Sequence, residues 1–225
     1  MSDRVIAVTG GHGALGRAVV EAALADGLKV AVIDHASGQS APGEALELGG
    51  VDLTDPASAA HAIEAVVARF GRLDALLNIA GGFVWQTTDD AAPAWDKMHA
   101  LNVSTALNAT RAALPHLKAS PEGRIVNVGA NGALKSAAGM GAYAASKSGV
   151  HRLTESLAEE LKSTSVTVNA VLPSILDTAQ NRADMPDADP SKWVAPSDLA
   201  RVILFLASPE SRAVTGALIP VVGKV

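Results

Sequence analysis

The sequence predicts an α/β fold built on a doubly wound, seven-stranded parallel sheet with helices on both faces, and three observations predict it. Short β-branched runs alternate with longer amphipathic segments to the end of the chain, which is the pattern of parallel strands joined by crossover helices. A glycine-rich turn, GGHGALG, stands between the first such run and the first apolar helix. The 225 residues suffice for one large core, and neither a linker nor a repeat divides them, so residues 1–225 read as a single domain.

The elements follow in order. RVIAVT places a buried strand over 5–9, and LGRAVVEAALA a helix over 15–25. KVAVID is a second strand, 29–34. The polar stretch HASGQSAPGE after it is too short for a full crossover helix and leads to a third strand over 46–51. Then come a helix (57–70), a strand (75–78), a long helix (93–117), a strand (124–128) and a helix (143–161). A strand (165–171), a helix (196–206) and a last strand (217–222) complete the series. Residues 174–195, SILDTAQNRADMPDADPSKWVA, are neither periodic nor short. They lie beyond the carboxyl end of a strand, where ligands bind in such sheets, and read as a substrate lid.

Composition narrows the function. Hydrophobic residues make up 48 % of the chain but are interrupted throughout by Gly, Asp, Lys or Arg. No segment approaches the ~20 apolar residues of a membrane span, and with a strand expected from residue 5 no signal peptide is expected. A cytoplasmic enzyme is expected. The absence of cysteine excludes disulfides, thiol catalysis and cysteine metal sites. Six scattered histidines offer no ligand pairing, so no metal is expected. A net charge of −5 without basic clusters argues against nucleic acid and anionic membranes and leaves a small-molecule substrate.

The glycine turn follows a strand and opens a helix, the context of a Rossmann dinucleotide site. Gly10, Gly11, Gly13 and Gly16 let the backbone approach a pyrophosphate, which free N–H groups and the helix N-terminus would receive. Asp34 ends the second strand eighteen residues after Gly16, the register in which an acid takes the adenosine ribose hydroxyls. It would repel a 2′-phosphate, and no Arg or Lys stands at Gly13, His35 or Ala36 to compensate, so NAD(H) is expected over NADP(H).

Tyr143 is the sole tyrosine and precedes Lys147 by one helical turn in GAYAASKSGV. On a helix the two side chains share a face, and a neighbouring cation is expected to pull the phenol pKa toward neutrality, as a proton donor requires. Seven aromatic residues occur in all. Phe83, Trp85 and Trp193 fall beside the expected site, where a flat heteroaromatic substrate would stack on them or where they would simply close the lid. Phe70, Trp95 and Phe205 lie on helices and are expected to face a core.

With these motifs in order, the chain resembles the short-chain dehydrogenase/reductase family over essentially its whole length. TGGHGALG resembles that family's cofactor loop (Gly10, His12, Gly13, Ala14, Leu15 and Gly16), with Ala14 at the place of its middle glycine. VDLTD supplies Asp52 and Leu53 beside the adenine, NIAGG supplies Asn78, Ala80 and Gly81 beside the adenosine, and NAVLPSILDT supplies Pro173 and Thr178 to flank the nicotinamide. The resemblance implies that Tyr143 is the acid/base, that Lys147 holds the nicotinamide ribose, and that Asn102 anchors a proton-relaying water. It also implies a homodimer or homotetramer built on the two long helices.

The family's catalytic serine is replaced by Ala130, thirteen residues before Tyr143. One oxyanion donor is worth ~3 kcal/mol of transition-state energy, so ordinary ketone reduction is put in question. Asn131 and Ser136 are the nearby side chains able to donate instead. The missing serine, GGHGALG, AGG, GM before the tyrosine, LDT followed by NR, and MPDAD with Trp193 all resemble the dihydropteridine reductase branch. Asn102 resembles the broad family instead. Three functional readings therefore stand: hydride transfer from NADH to a quinonoid dihydropterin or similar planar acceptor, an NAD-dependent carbonyl reductase or alcohol dehydrogenase, and a non-catalytic NAD-binding regulator.

Overall fold

The computed structural model describes residues 3–37, 43–90 and 94–225. Seven parallel strands form one sheet in the order β3-β2-β1-β4-β5-β6-β7. They are β1 Val5–Thr9, β2 Lys29–Ile33, β3 Leu46–Leu48, β4 Ala75–Asn78, β5 Arg124–Val128, β6 Thr167–Pro173 and β7 Leu218–Val221. The central strands are apolar on both sides because both faces of the sheet are covered. Helices α1 (Ala14–Ala25) and α7 (Pro196–Leu206) pack on one face through Val19, Val20, Leu199 and Ile203. On the other lie α2 (Pro56–Phe70), α4 (Thr105–Ala119) and α5 (Gly141–Glu160), packed through Ile63, Ala113 and Leu157.

The strand order reverses between β1 and β4, and at such a switch point the loops leaving the two strands part into a crevice. Thr9 at the end of β1 fixes its wall. The Thr9 hydroxyl accepts from the N–H groups of Ile79 (3.0 Å) and Ala80 (3.1 Å) and donates to the Leu77 carbonyl (3.3 Å).

Several boundaries differ from the sequence expectation. The start expected for the long helix, Pro93, and residues 38–42 of the short crossover lie outside the described residues. The helix itself is α3 (Ala94–His99), a π-helical turn over Ala100–Ser104, and α4. Such a turn inserts a residue and re-aims the side chains around it, which apolar periodicity does not report. Strand β6 starts two residues late because the Val166 N–H is taken by the Thr164 hydroxyl (3.2 Å), a local turn bond that competes with the ladder. The third strand ends at Leu48; beyond it the Val51 N–H reaches the Asp34 carbonyl (3.0 Å) outside regular pairing.

Trp95 and Phe205 do not face the core. They are 53 % and 50 % exposed, since each helix turns its smaller apolar residues, Ala94 and Met98 or Leu199 and Ile203, inward. Residues 174–195 carry more order than their composition implied: helix α6 (Ala179–Asp184), a 3₁₀ turn at Pro190–Lys192, and a parallel bridge of Leu176 to Val194. Among the described residues no helix is long and apolar enough to cross a membrane.

Candidate active site

The crevice at the switch point has a volume of about 560 Å³. Of the residues expected from the sequence to bind cofactor, Gly10, Gly13, Ala14, Leu15, Gly16, Asp34, Asp52, Leu53, Ala80, Gly81, Tyr143, Lys147 and Thr178 line it. Two glycines are sterically required. Gly10 has φ +66°, and a Cβ there would lie 2.8 Å from the Ala80 Cα; a Cβ on Gly16 would collide with the Gly10 carbonyl. The loop therefore lies flat against β4 and the start of α1. No side chain caps the first turn of α1, so its N-terminal N–H groups face the loop free for an anion.

Asp34 lines the crevice with both oxygens already engaged. Oδ2 accepts from the His12 N–H and Oδ1 from the Ala36 N–H, each at 2.9 Å. These bonds hold the carboxylate still while each oxygen keeps a lone pair for a hydroxyl. Asp52 is similarly tied, to the N–H (2.9 Å) and hydroxyl (2.6 Å) of Thr54, which hold its pKa below the usual carboxylate range. Crevice size, a loop lacking side chains, an uncapped helix end and a positioned acid together fit a dinucleotide.

At the other end Tyr143 and Lys147 rise from the first turns of α5. Lys147 is buried, and its Nζ donates to the Val128 carbonyl at 2.7 Å. Burial pulls its pKa down to about 8. The expected lowering of the phenol pKa is not found: burial pushes Tyr143 up to about 12. The ammonium is turned toward the end of β5, and the phenol hydroxyl bonds to no described residue. The Phe83 ring meets the Tyr143 ring edge-on, with centroids 4.9 Å apart.

Other expected residues lie elsewhere. His12 turns its ring away from the crevice to Glu47 (2.7 Å), leaving only its backbone on the cofactor side. The Asn78 side chain is buried beneath the loop, donating to Thr110 and Asn127, and Pro173 ends β6 inside the fold; neither lines the crevice. Asn102 sits in the π-helical turn. Its amide accepts from the Gly82 N–H (2.9 Å) and donates to the Gly82 carbonyl (3.1 Å) and the Ser146 hydroxyl (2.9 Å). It thus staples the wall at residues 81–82 to α5, and a Cβ at Gly81 would crowd both its Oδ1 and Lys147 Nζ.

Among the candidate substrate residues only Phe83 lines the crevice. Trp85 lies against the Gly139 backbone at the rim and is 60 % exposed. Trp193 is buried at the far end of residues 174–195, where the Asp177 N–H donates to the Val194 carbonyl and the Val194 N–H to the Ile175 carbonyl. It anchors that segment instead of lining the site. Ala130 is buried with its N–H directed to His151 Nε2 (3.3 Å), and Asn131 opens a 3₁₀ turn without lining the crevice. His151 follows Lys147 by four residues on the same helical face and braces the Ala130 backbone without lining the crevice. Leu101, Thr105 and Leu176 do lie on the crevice wall and carry no sequence signal of their own.

The fold and this crevice together define an oxidoreductase that works with a bound nicotinamide dinucleotide. The chain belongs to the short-chain dehydrogenase family, whose model matches residues 4–189. It is 33 % identical to 2-(S)-hydroxypropyl-CoM dehydrogenase 3 of Xanthobacter autotrophicus, over 99 % of this chain and 96 % of that protein. It is 31 % identical to 2,5-dichloro-2,5-cyclohexadiene-1,4-diol dehydrogenase of Sphingobium indicum, with the same coverage. Among solved structures, Thermoplasma acidophilum aldohexose dehydrogenase superposes with a TM-score of 0.90 at 25 % identity, covering 99 % of this chain and 93 % of that one. Carveol dehydrogenase from Mycobacterium avium, in complex with NAD, does so at 0.85 and 27 %, covering 98 % and 96 %.

Proposed function

We propose that the protein is an NADH-dependent reductase of a small planar acceptor, of which a quinonoid dihydropterin is the specific candidate. The observation that carries this reading is the pairing of Phe83 with Tyr143 at the mouth of the crevice, in a chain with alanine at position 130. An aromatic edge against the proton donor suits a flat π-face, and a methyl group at 130 provides no hydroxyl to hold a ketone oxygen. Asp34, held by two backbone N–H groups, favours the ribose diol of NAD(H) over a 2′-phosphate.

Bound NADH would supply the hydride. The chain's own residues do the rest. The glycine loop and the start of α1 receive the pyrophosphate, and Thr178 and Leu176 close over the nicotinamide end of the crevice. Tyr143, protonated throughout the physiological range, donates its phenolic proton to the reduced acceptor. Lys147 presents a buried ammonium on the same helical face, fixed by the Val128 carbonyl.

The second reading, dehydrogenation of a secondary alcohol, is favoured by the names of two of the relatives, which are dehydrogenases of hydroxylated compounds. NADH oxidation against quinonoid dihydropterin, quinones, imines and simple ketones separates the two. The proposal expects the planar acceptors to exceed ketones by at least tenfold in kcat/KM, a difference of about 1.4 kcal/mol. A preference for ketones, or for alcohols with NAD, would overturn it.

A further inference from the structure

The end of the sheet opposite the crevice carries a second polar cavity, of about 510 Å³. Arg124, the first residue of β5, lines it and is 1 % exposed. Its Nε donates to the Ser208 carbonyl (3.0 Å), and Nη1 to the carbonyls of Gly123 (2.8 Å) and Ser165 (3.3 Å). Nη2 has no partner among the described residues, and no carboxylate there forms an ion pair with the guanidinium. Glu122, which lines the same cavity, is turned to Arg4 at 3.1 Å, and both Glu122 and Glu210 act on Arg124 only through space. A buried cation without a contacting counter-ion is costly, and carbonyl dipoles offset that cost only in part.

Its neighbour in the ladder is Thr167, the first residue of β6. Residues in register on parallel strands project to the same face. Thr167 Oγ1 is buried without a partner, and it lines the same cavity as Arg124, whose Nη2 is the guanidinium nitrogen not used in the carbonyl bonds. Arg212 stands at the cavity wall, exposed, and its guanidinium bonds to no described residue. Lys162 lies nearby, paired with Glu159 at 2.5 Å.

We propose that this cavity is an oxyanion site of phosphate type, held by Arg124 Nη2, the Thr167 hydroxyl and the Arg212 guanidinium. A guanidinium matches the oxygens of such an anion, and the charge-assisted bonds would satisfy the groups the fold leaves unpaired. The ligand is inorganic phosphate or the phosphate monoester of a small metabolite. The site is independent of the hydride-transfer reading, because β5 and β6 begin here and end at the crevice.

Calorimetric titration of the full chain with inorganic phosphate, against chloride at matched ionic strength, tests it. Saturable binding is expected, weakened about tenfold in Arg212→Ala and in Thr167→Val, with NADH affinity unchanged in both. Thr167→Val preserves shape and Arg212→Ala alters only an exposed side chain, so folding is retained. Tighter binding of glycerol phosphate than of phosphate assigns the site to an ester, the reverse to the free ion, and either supports it. No binding beyond chloride, or phosphate binding equal in the wild type and both variants, would overturn it; the latter result would place the anion in the cofactor loop.

Discussion

Tyr143 and Lys147 stand one turn apart on α5, and burial moves their proton affinities in opposite directions, the phenol up to about 12 and the ammonium down to about 8. Both shifts have one cause, since a low-dielectric site disfavours the charged form of either group. The cofactor-free protein therefore keeps Tyr143 neutral at every physiological pH, while Lys147 is mostly charged at neutral pH and loses its proton as the pH rises through about 8.

Tyr143→Phe removes the proposed proton donor without disturbing the loop. Turnover is expected to fall by at least ~10²-fold, the low end of what general acid catalysis contributes. NADH affinity, read by fluorescence titration, should change little. Full activity in the variant would remove Tyr143 from the mechanism.

Lys147 makes a prediction about stability. The unfolded lysine holds its proton to about 10.5 and the folded one only to about 8, so the unfolded chain binds more protons between those values and stability rises with pH across that window. The shift corresponds to about 3 kcal/mol of charge-burial cost at neutral pH. Lys147→Met should therefore melt higher than the wild type at pH 7, with a flat profile from 8 to 10.5, while losing turnover. In the wild type, kcat/KM should decline as pH rises through about 8, because this parameter reports the free enzyme. Melting curves and rates on one pH series check both statements.

Asp34→Ala leaves the His12 and Ala36 N–H groups without their acceptor and removes the charge that opposes a 2′-phosphate. NADH affinity should weaken by about tenfold, the cost of charged hydrogen bonds, while NADPH affinity holds or improves. Paired titrations with the two cofactors give the ratio. A wild-type preference for NADPH would refute the assignment.

Ala130→Ser adds a hydroxyl at the place where the resemblance puts a catalytic serine. If the native acceptor is planar and needs no oxyanion donor, the variant should gain ketone reduction, by up to ~10²-fold, without loss on the planar substrate. Rates on a ketone and on quinonoid dihydropterin, measured in parallel, decide it. No change on ketones would mean that position 130 does not reach the substrate.

Much of this protein is legible in the chain because it is local. Buried parallel strands are apolar runs, a turn packed this closely on its own backbone and on Ala80 needs glycine at Gly10 and Gly16, and Tyr143 and Lys147 share a face through helical spacing alone. The sequence by itself determined the doubly wound sheet, the glycine turn after the first strand and the Tyr–Lys spacing; the strand order placed the crevice.

Tertiary structure decided where each polar group sends its bonds. Asn78 and His12 carry the right motif positions, yet β5, α4 and β3 bring Asn127, Thr110 and Glu47 close enough to draw both side chains out of the crevice. Lys147 meets the Val128 carbonyl instead of the phenol, so desolvation, not the neighbouring charge, sets the Tyr143 pKa. The π-helical turn at Asn102 and the unpartnered Thr167 hydroxyl beside Arg124 arise the same way. A hydrogen bond or an electric field depends on distances between residues far apart in the chain, and packing alone supplies those distances.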